Sequence, residues 1–284
     1  MSNPQAPYQH DDVVKANVAV HSAMAATYNE REPHFRPENQ SSVRAVLVKL
    51  AGDTGGGRLL DLGCGTGFVI NLAKDLFKQI DGVDITQAML DRVDKSGGNI
   101  VLHNTRCENL PFEDGTFDAA TAYSFLDHLA DYSLVLKEAF RVLRPGGKMY
   151  ADLLPNKRFW DEVNLVGERD GQEGIEAPLV KREVQMLVSQ HEMVERDYNI
   201  DGETFLAAEP WKTATRGISA RDFARIASDI GFAKVEVEFQ WYLGQGNVLH
   251  EQGQGDADTV EKYLRSVLPI SESLFKYLRI TLTR

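Results

Sequence analysis

The chain has 284 residues, 43% of them hydrophobic, and a formal net charge of -11, an ordinary globular composition at a length that suits one α/β core carrying insertions. The acidic balance, with no Lys/Arg block longer than two residues, speaks against nucleic acid and anionic membranes as partners. No apolar run approaches the roughly 18 residues of a spanning helix, the start MSNPQAPYQHDD lacks the basic and apolar regions of a signal peptide, and Cys64 and Cys107 form no CxxC pair, so a cytosolic protein with two thiols is expected.

Residues 1 to 11 are polar and rich in Pro and Gln, as in a mobile tail. A helix is predicted over Asp12 to Glu30, with Val20, Met24 and Tyr28 on one face, and a second after EPHFRPEN, capped by Ser41 and Ser42 and built on Val43, Val46, Leu47 and Leu50. From Arg58 onward strands and helices alternate: RLLDL, a helix 68 to 78, QIDGVDI, a helix 87 to 95, NIVLHN, the loop LPFEDGTFD, AATAYSF, a helix 131 to 143, the RPGG stop and KMYADLL. Such βαβ units predict a parallel, doubly wound sheet with right-handed crossovers. Between Pro155 and Gly217 two stretches alternate apolar and polar residues around Asp201-Gly202, predicting an inserted antiparallel β cap over the active site or at a subunit contact. The core resumes with a helix opened by Ser219 and stopped at Gly231, the strand KVEVEF, a Gly/Gln-rich loop (244 to 256), a helix and the last strand YLRITLT. The expected organisation is therefore an N-terminal tail with lid helices (1–57), a ligand-binding core (58–154), the inserted cap (155–217) and a C-terminal part of the core (218–284).

A first strand running through a glycine turn into a helix places backbone N–H groups at the carboxyl edge of the sheet, where doubly wound domains bind ligands. Here Gly63, Gly65 and Gly67 give G-x-G-x-G, and Phe68 takes the place of the third glycine of a dinucleotide site. A phosphate loop is absent, and Asp61 just before the turn suits a ligand carrying positive charge rather than a pyrophosphate.

With these residues in place, the sequence resembles the class I S-adenosylmethionine-dependent methyltransferases over roughly Arg58 to Leu154 and again from Ser219 to the C-terminus. LLDLGCGTG looks like that family's motif I, GVDIT its acidic second-strand end, LPFEDGTFDAA its fourth-strand approach and LKEAFRVLRPGG the helix that follows. The resemblance implies a Rossmann-like seven-stranded sheet with an antiparallel last strand, S-adenosylmethionine as cofactor and S-adenosylhomocysteine as product. It also implies roles. Gly63, Cys64 and Gly65 cradle the cofactor, Asp61 meets its methionyl ammonium, Asp84 accepts from the ribose hydroxyls, and Ile85 packs on the adenine. The third-strand end departs from the pattern: Arg106 stands where relatives often carry Asp, leaving the Cys107 backbone N–H and Glu108 as adenine contacts, with a surface Arg-Glu pair as the competing reading. Tyr123 flanks the methionine part or serves as a core tyrosine.

A sulfonium carries its own activation, so the protein's work is to align nucleophile, methyl and sulfur and to exclude water. A hydroxyl or ammonium acceptor must also lose a proton, and His128 in YSFLDHL is the candidate base; its competing reading is an N-cap or packing residue. Asp127, Tyr28 on the lid with His21, and Trp211 and Arg216 from the insertion are the further candidates for the acceptor pocket, each with a structural reading beside it. His34, His191 and His250 are scattered without metal-ligand spacing, so no metal is expected. The expected function is methyl transfer to oxygen or nitrogen of a small organic acceptor, with a ring C-methyltransferase or a non-catalytic S-adenosylmethionine-binding protein as alternatives and a homodimer as a possible assembly.

Overall fold

The computed structural model describes residues 8–169, 177–213 and 217–284. The N-terminal part comprises α1 (His10–Met24), α2 (Tyr28–Arg31), a short 3-10 turn (Pro33–Phe35) and α3 (Pro37–Thr54). The core follows with β1 (Arg58–Leu62), α4 (Phe68–Ala73), β2 (Gln79–Asp84), α5 (Gln87–Leu90), β3 (Ile100–Asn104), β4 (Phe117–Tyr123), α6 (Tyr132–Val142) and β5 (Leu143–Pro155). The insertion holds α7 (Lys157–Arg169), α8 (Pro178–Tyr198), α9 (Gly202–Ala208) and α10 (Pro210–Thr213). The chain ends with α11 (Ala220–Ile230), β6 (Lys234–Tyr242), α12 (Gln245–Glu251), α13 (Gln254–Ser266) and β7 (Phe275–Thr283).

The sheet has seven strands in the order β3-β2-β1-β4-β5-β7-β6. Strands β1 to β5 pair in parallel, as the sequence pattern predicts, whereas β7 runs antiparallel to both β5 and β6, as the family resemblance implies. Successive side chains of a strand point to opposite faces, and β1 shows the consequence. Leu60 and Leu62 pack with Val135, Leu136, Phe223 and Ile226 of α6 and α11, while Leu59 packs with Leu47, Leu50, Val69 and Ile70 of α3 and α4. The order reverses between β1 and β4, so the carboxyl ends of these strands form the crevice in which such sheets bind ligands.

The insertion corrects the expected antiparallel cap: it is helical from α7 to α10. Val180 and Val184, four residues apart, sit on one face of α8 against Phe159, Trp160 and Val163 of α7, which is helical periodicity. Asp201-Gly202, expected as a hairpin turn, is a helix start, since the Asp201 carboxylate accepts from the Thr204 N–H at 2.9 Å. Other boundaries shift for similar local reasons. Helix α3 begins at Pro37 rather than at a Ser41 or Ser42 cap, and the Ser41 hydroxyl donates instead to Pro37 O at 2.9 Å. The predicted 12–30 helix breaks after Met24, with TYNE opening the separate α2, and the expected loop at 244–256 contains α12 behind a left-handed Gly244. Helices α4 and α5 stop short of 78 and 95.

Among the described residues no helix is long and apolar enough to cross a membrane. Phe223 is fully buried and stacks on Tyr132 at 5.4 Å between ring centroids, joining α11 to α6. Phe223→Ala is expected to cost about 3–5 kcal/mol of unfolding free energy in equilibrium urea denaturation; a loss below about 1 kcal/mol would mean that this layer carries little of the core's stability.

Candidate functional site

The turn after β1 is shaped by its glycines and by one carboxylate. Gly63, Gly65 and Gly67 have φ of +64°, +52° and +88°, a region that side chains with a Cβ rarely enter. Asp84, at the end of β2, accepts from the Gly65 N–H at 2.9 Å and from the Thr86 N–H at 2.8 Å, so one carboxylate ties two loops together. The two leading glycines are bare for different reasons. A Cβ on Gly63 would lie 2.1 Å from the Phe125 ring, whereas one on Gly65 would meet nothing within 4 Å. Gly63 is thus bare to admit a side chain of this protein, and Gly65 opens onto a cavity.

That cavity encloses about 970 Å³ of empty space, its open mouth included. Asp61, Gly63, Cys64, Gly65, Asp84 and Ile85 line it, as do Cys107, Glu108, Tyr123, Tyr28 and His128. The structure therefore brings together, from five separate stretches of chain, most of the residues that the sequence singles out. Asp61 is 1% exposed. One of its oxygens accepts from the Thr121 hydroxyl at 2.7 Å, and the other is buried without a hydrogen-bond partner among the described residues. Burial pushes this carboxyl up to about 7, because the charged form loses its hydration with a single neutral donor in compensation. An orphaned carboxylate oxygen is a receptor for a cationic group. Asp84 is likewise raised by burial, and beyond its two backbone bonds it keeps lone pairs for further donors. Both cysteines are buried free thiols that burial pushes well above their usual range.

The anomalous Arg106 has a partner on α1. It reaches Asp11 of α1 at 3.4 Å, and Glu108 approaches His10 of the same helix at 3.5 Å. Tyr28 packs at 5.8 Å from His34 and 6.3 Å from Phe35, and Tyr123 at 4.8 Å from Phe68. His34 is a site residue that the sequence pattern passes over. It is buried among Tyr28, Phe35, Phe68 and Tyr123, and burial pulls its imidazole down to about 4. Its one visible signal is the pair of prolines, Pro33 and Pro37, that bracket HF and force the tight turn.

His128 ends a 3-10 turn after β4. Its Nδ1 lies 2.9 Å from the Ala208 carbonyl; a carbonyl only accepts, so the neutral ring carries its proton on Nδ1 and keeps a lone pair on Nε2. His21 repeats this arrangement with Asn17 O at 2.9 Å, and its ring meets His128 edge-on at 5.1 Å. Burial and the neighbouring His128 pull His21 down to about 4. Two of the described sequence candidates, Asp127 and Trp211, do not line the cavity. Asp127 is buried behind it, raised by burial, with one oxygen unpartnered among the described residues. Trp211 is a core residue whose Nε1 donates to Leu129 O at 2.7 Å and whose ring packs on Tyr132. Arg216 lies outside the described residues. Among the described residues no cluster of His, Cys, Asp and Glu is placed to hold a metal ion.

Residues 60–151 match the family model described as "Methyltransferase domain". Over 109 residues the chain is 38% identical to the ubiquinone/menaquinone biosynthesis C-methyltransferase UbiE of Desulfotalea psychrophila, covering 37% of this chain and 44% of that protein. It is 28% identical over 145 residues to the ubiquinone biosynthesis O-methyltransferase of Pseudomonas fluorescens, covering 49% of this chain and 62% of that relative. The chain thus spans about half the length of the curated relatives it matches. Among solved structures, a possible histamine N-methyltransferase from Thermotoga maritima aligns with TM-score 0.51 at 17% identity, over 93% of this chain and 99% of that one. The [4+2]-cyclase SpnF aligns with TM-score 0.54 at 18% identity, over 100% and 99%. These likenesses show the fold, and the cyclase shows that the fold alone does not set the reaction.

Asp61 generates a pH prediction. Its folded pKa, about 7, lies above the ordinary aspartate value of 3.8, so the folded chain holds this proton more tightly than the unfolded one. Its share of stability therefore falls as pH rises from 3.8 to about 7 and is constant outside that window. A cationic ligand reverses the preference, so titration with S-adenosylmethionine at about pH 6 is expected to release up to about one proton per site, and almost none at about pH 8. Calorimetry in buffers of different ionisation enthalpy reads this directly. Asp61→Asn should abolish the release and weaken binding by tenfold or more, the equivalent of about 1.5–3 kcal/mol; equal proton release by the variant would assign the titration to another group.

Proposed function

We propose that this chain, whose residues 60–151 form a class I S-adenosylmethionine-dependent methyltransferase domain, moves a methyl group to an oxygen or nitrogen of a small organic acceptor by in-line displacement. When bound, S-adenosylmethionine supplies an electrophilic methyl on a positively charged sulfur. The buried residues fit such a ligand. The orphaned oxygen of Asp61 receives the ammonium, Gly65 leaves room for close approach, and Asp84 offers its remaining lone pairs to the two ribose hydroxyls while Ile85 packs on the base. Helix α1 supplies Val13 and Asn17 to the cavity wall and so keeps bulk water from the reacting atoms.

The observation that carries the acceptor side is His128 on the cavity wall with its Nδ1 held by Ala208 O, which leaves the lone pair of the neutral ring on Nε2. His128 Nε2 would take the proton that the acceptor's oxygen or nitrogen loses as it becomes methylated, so that no cation builds up on the product. A neutral imidazole suits this role at neutral pH. Among the described lining residues there is no Lys or Arg, which supports an acceptor without a phosphate or carboxylate group. A second reading has a specific basis: the matched relatives include a C-methyltransferase of ubiquinone/menaquinone biosynthesis, and the aromatic wall of Tyr28, His34, Phe68 and Tyr123 suits a planar ring.

Two measurements test this reading. Isothermal titration should show S-adenosylmethionine binding that Gly65→Trp and Asp84→Ala abolish; binding unaffected by both would place the cofactor elsewhere. An acceptor screen that follows S-adenosylhomocysteine, with product regiochemistry by NMR, separates O- and N- from C-methylation. With the acceptor so found, His128→Ala is expected to lower kcat by about 10²–10⁴-fold at unchanged cofactor affinity, and wild-type turnover would remove His128 from the mechanism.

A further inference from the structure

Two elements far apart in sequence grip His128 from opposite sides. Asn17 of α1 donates from its side-chain amide to the His128 backbone carbonyl at 2.9 Å, and Ala208 at the end of α9 accepts from the His128 imidazole at 2.9 Å. The two elements are also packed on each other. Ala16, Val20 and Met24 of α1 share one apolar cluster with Phe205, Ala207 and Ala208 of α9. Asn17 is 6% exposed, and both protons of its amide are used. Its amide also donates to Val13 O at 2.9 Å, and its own backbone carbonyl accepts from His21. One buried asparagine therefore fixes the backbone of one cavity imidazole and the side chain of the other.

We propose that Asn17 is a positioning residue for His128, and that α1 and α9 act as one clamp which presents the imidazole with Nε2 bare only when both are docked. This rests on the reading of His128 as the base. In water a neutral imidazole exchanges freely between its two tautomers, and a hydrogen bond to one nitrogen selects which of them persists. Here the selecting acceptor, Ala208 O, is a backbone atom of the insertion, and the distance from it to the ring depends on where the His128 backbone sits. Asn17 sets that position. Removing its amide leaves a buried carbonyl without its donor, and the turn that carries His128 is then free to move away from Ala208. The insertion thereby acts on the reaction as well as on the choice of acceptor. A misplacement of about 1 Å in a reacting group costs on the order of 10²-fold in rate.

The test uses the full chain labelled with ¹⁵N-histidine and saturated with S-adenosylhomocysteine. In the wild type, the His128 ring should give the shifts of a neutral imidazole protonated at Nδ1. Asn17→Asp keeps the size of the side chain and, at a pH where it is ionised, offers only acceptors to the His128 carbonyl, and Asn17→Ala removes the donor without adding charge. Both should shift His128 to a tautomer mixture while S-adenosylmethionine binding stays within about threefold of wild type, and turnover, with whatever acceptor the screen identifies, should fall on the order of 10²-fold through kcat rather than KM. A merely structural role for Asn17 would lower the melting temperature and leave the tautomer unchanged. Should Asn17→Asp fail to fold, Asn17→Ala gives the same reading. Folded variants that keep the wild-type His128 shifts would overturn the proposal. If His128→Ala retains full turnover while the Asn17 variants still lose the tautomer, the base reading fails and the clamp stands.

Discussion

The carboxylate of Asp84 is the constraint on which the rest of the site depends. By accepting from Gly65 and Thr86 it locks the turn after β1 against the end of β2, and the turn in turn decides what lies open and what is covered. With Gly65 held at positive φ, its missing side chain leaves free space, and Asp61 is left below with one oxygen unmatched. Bonds from backbone N–H groups to a buried carboxylate are among the stronger neutral-to-charged hydrogen bonds, so the loop is rigid before any ligand arrives. Such preorganisation lowers the entropy that binding must overcome.

The electrostatics of the cavity divide it into two ends. At the sheet edge, Asp61 and Asp84 are carboxylates that burial pushes upward, a strained arrangement that a cation relieves. At the lid, His21 and His34 are imidazoles that burial pulls down to about 4, so they stay neutral where a protonated ring would repel a sulfonium. Both effects have the same cause, the loss of hydration on burial, and both favour a positively charged guest at the boundary between the two ends. The Arg106 departure belongs to this picture. Placed against Asp11, with Glu108 against His10, it ties the strand ends to the helix that excludes the water.

The core was legible because its information is local. Apolar runs at the strand period, glycines at fixed spacing and a Ser219 cap that accepts from the Asp222 N–H can each be read within a dozen residues, and they all agree on one topology. The insertion was misread because its helices present narrow apolar faces, which over a few residues mimic strand alternation, and because Asp201 serves a helix cap as readily as a turn. Asn17 was not legible at all, and His34 only through the prolines on either side of it. The partner of Asn17 lies 111 residues away and that of the His128 ring 80 residues away, and no local pattern encodes such a meeting. Trp211 shows the opposite failure: an aromatic residue in a variable segment looks like a pocket wall and is instead an anchor, holding α10 to the backbone after His128.

That anchor connects the insertion to the chemistry in a second way. Leu129 O, which Trp211 holds, and the His128 ring, which Ala208 holds, belong to adjacent residues, so the insertion supports the same turn from two sides while Asn17 supports it from a third. A fold shared with a [4+2]-cyclase leaves the reaction to be decided by what its attachments place at the carboxyl edge of the sheet. In this chain the lid and the insertion converge on one turn rather than enclosing the cavity independently. Variation in either element is therefore felt at the His128 ring through the backbone of two residues.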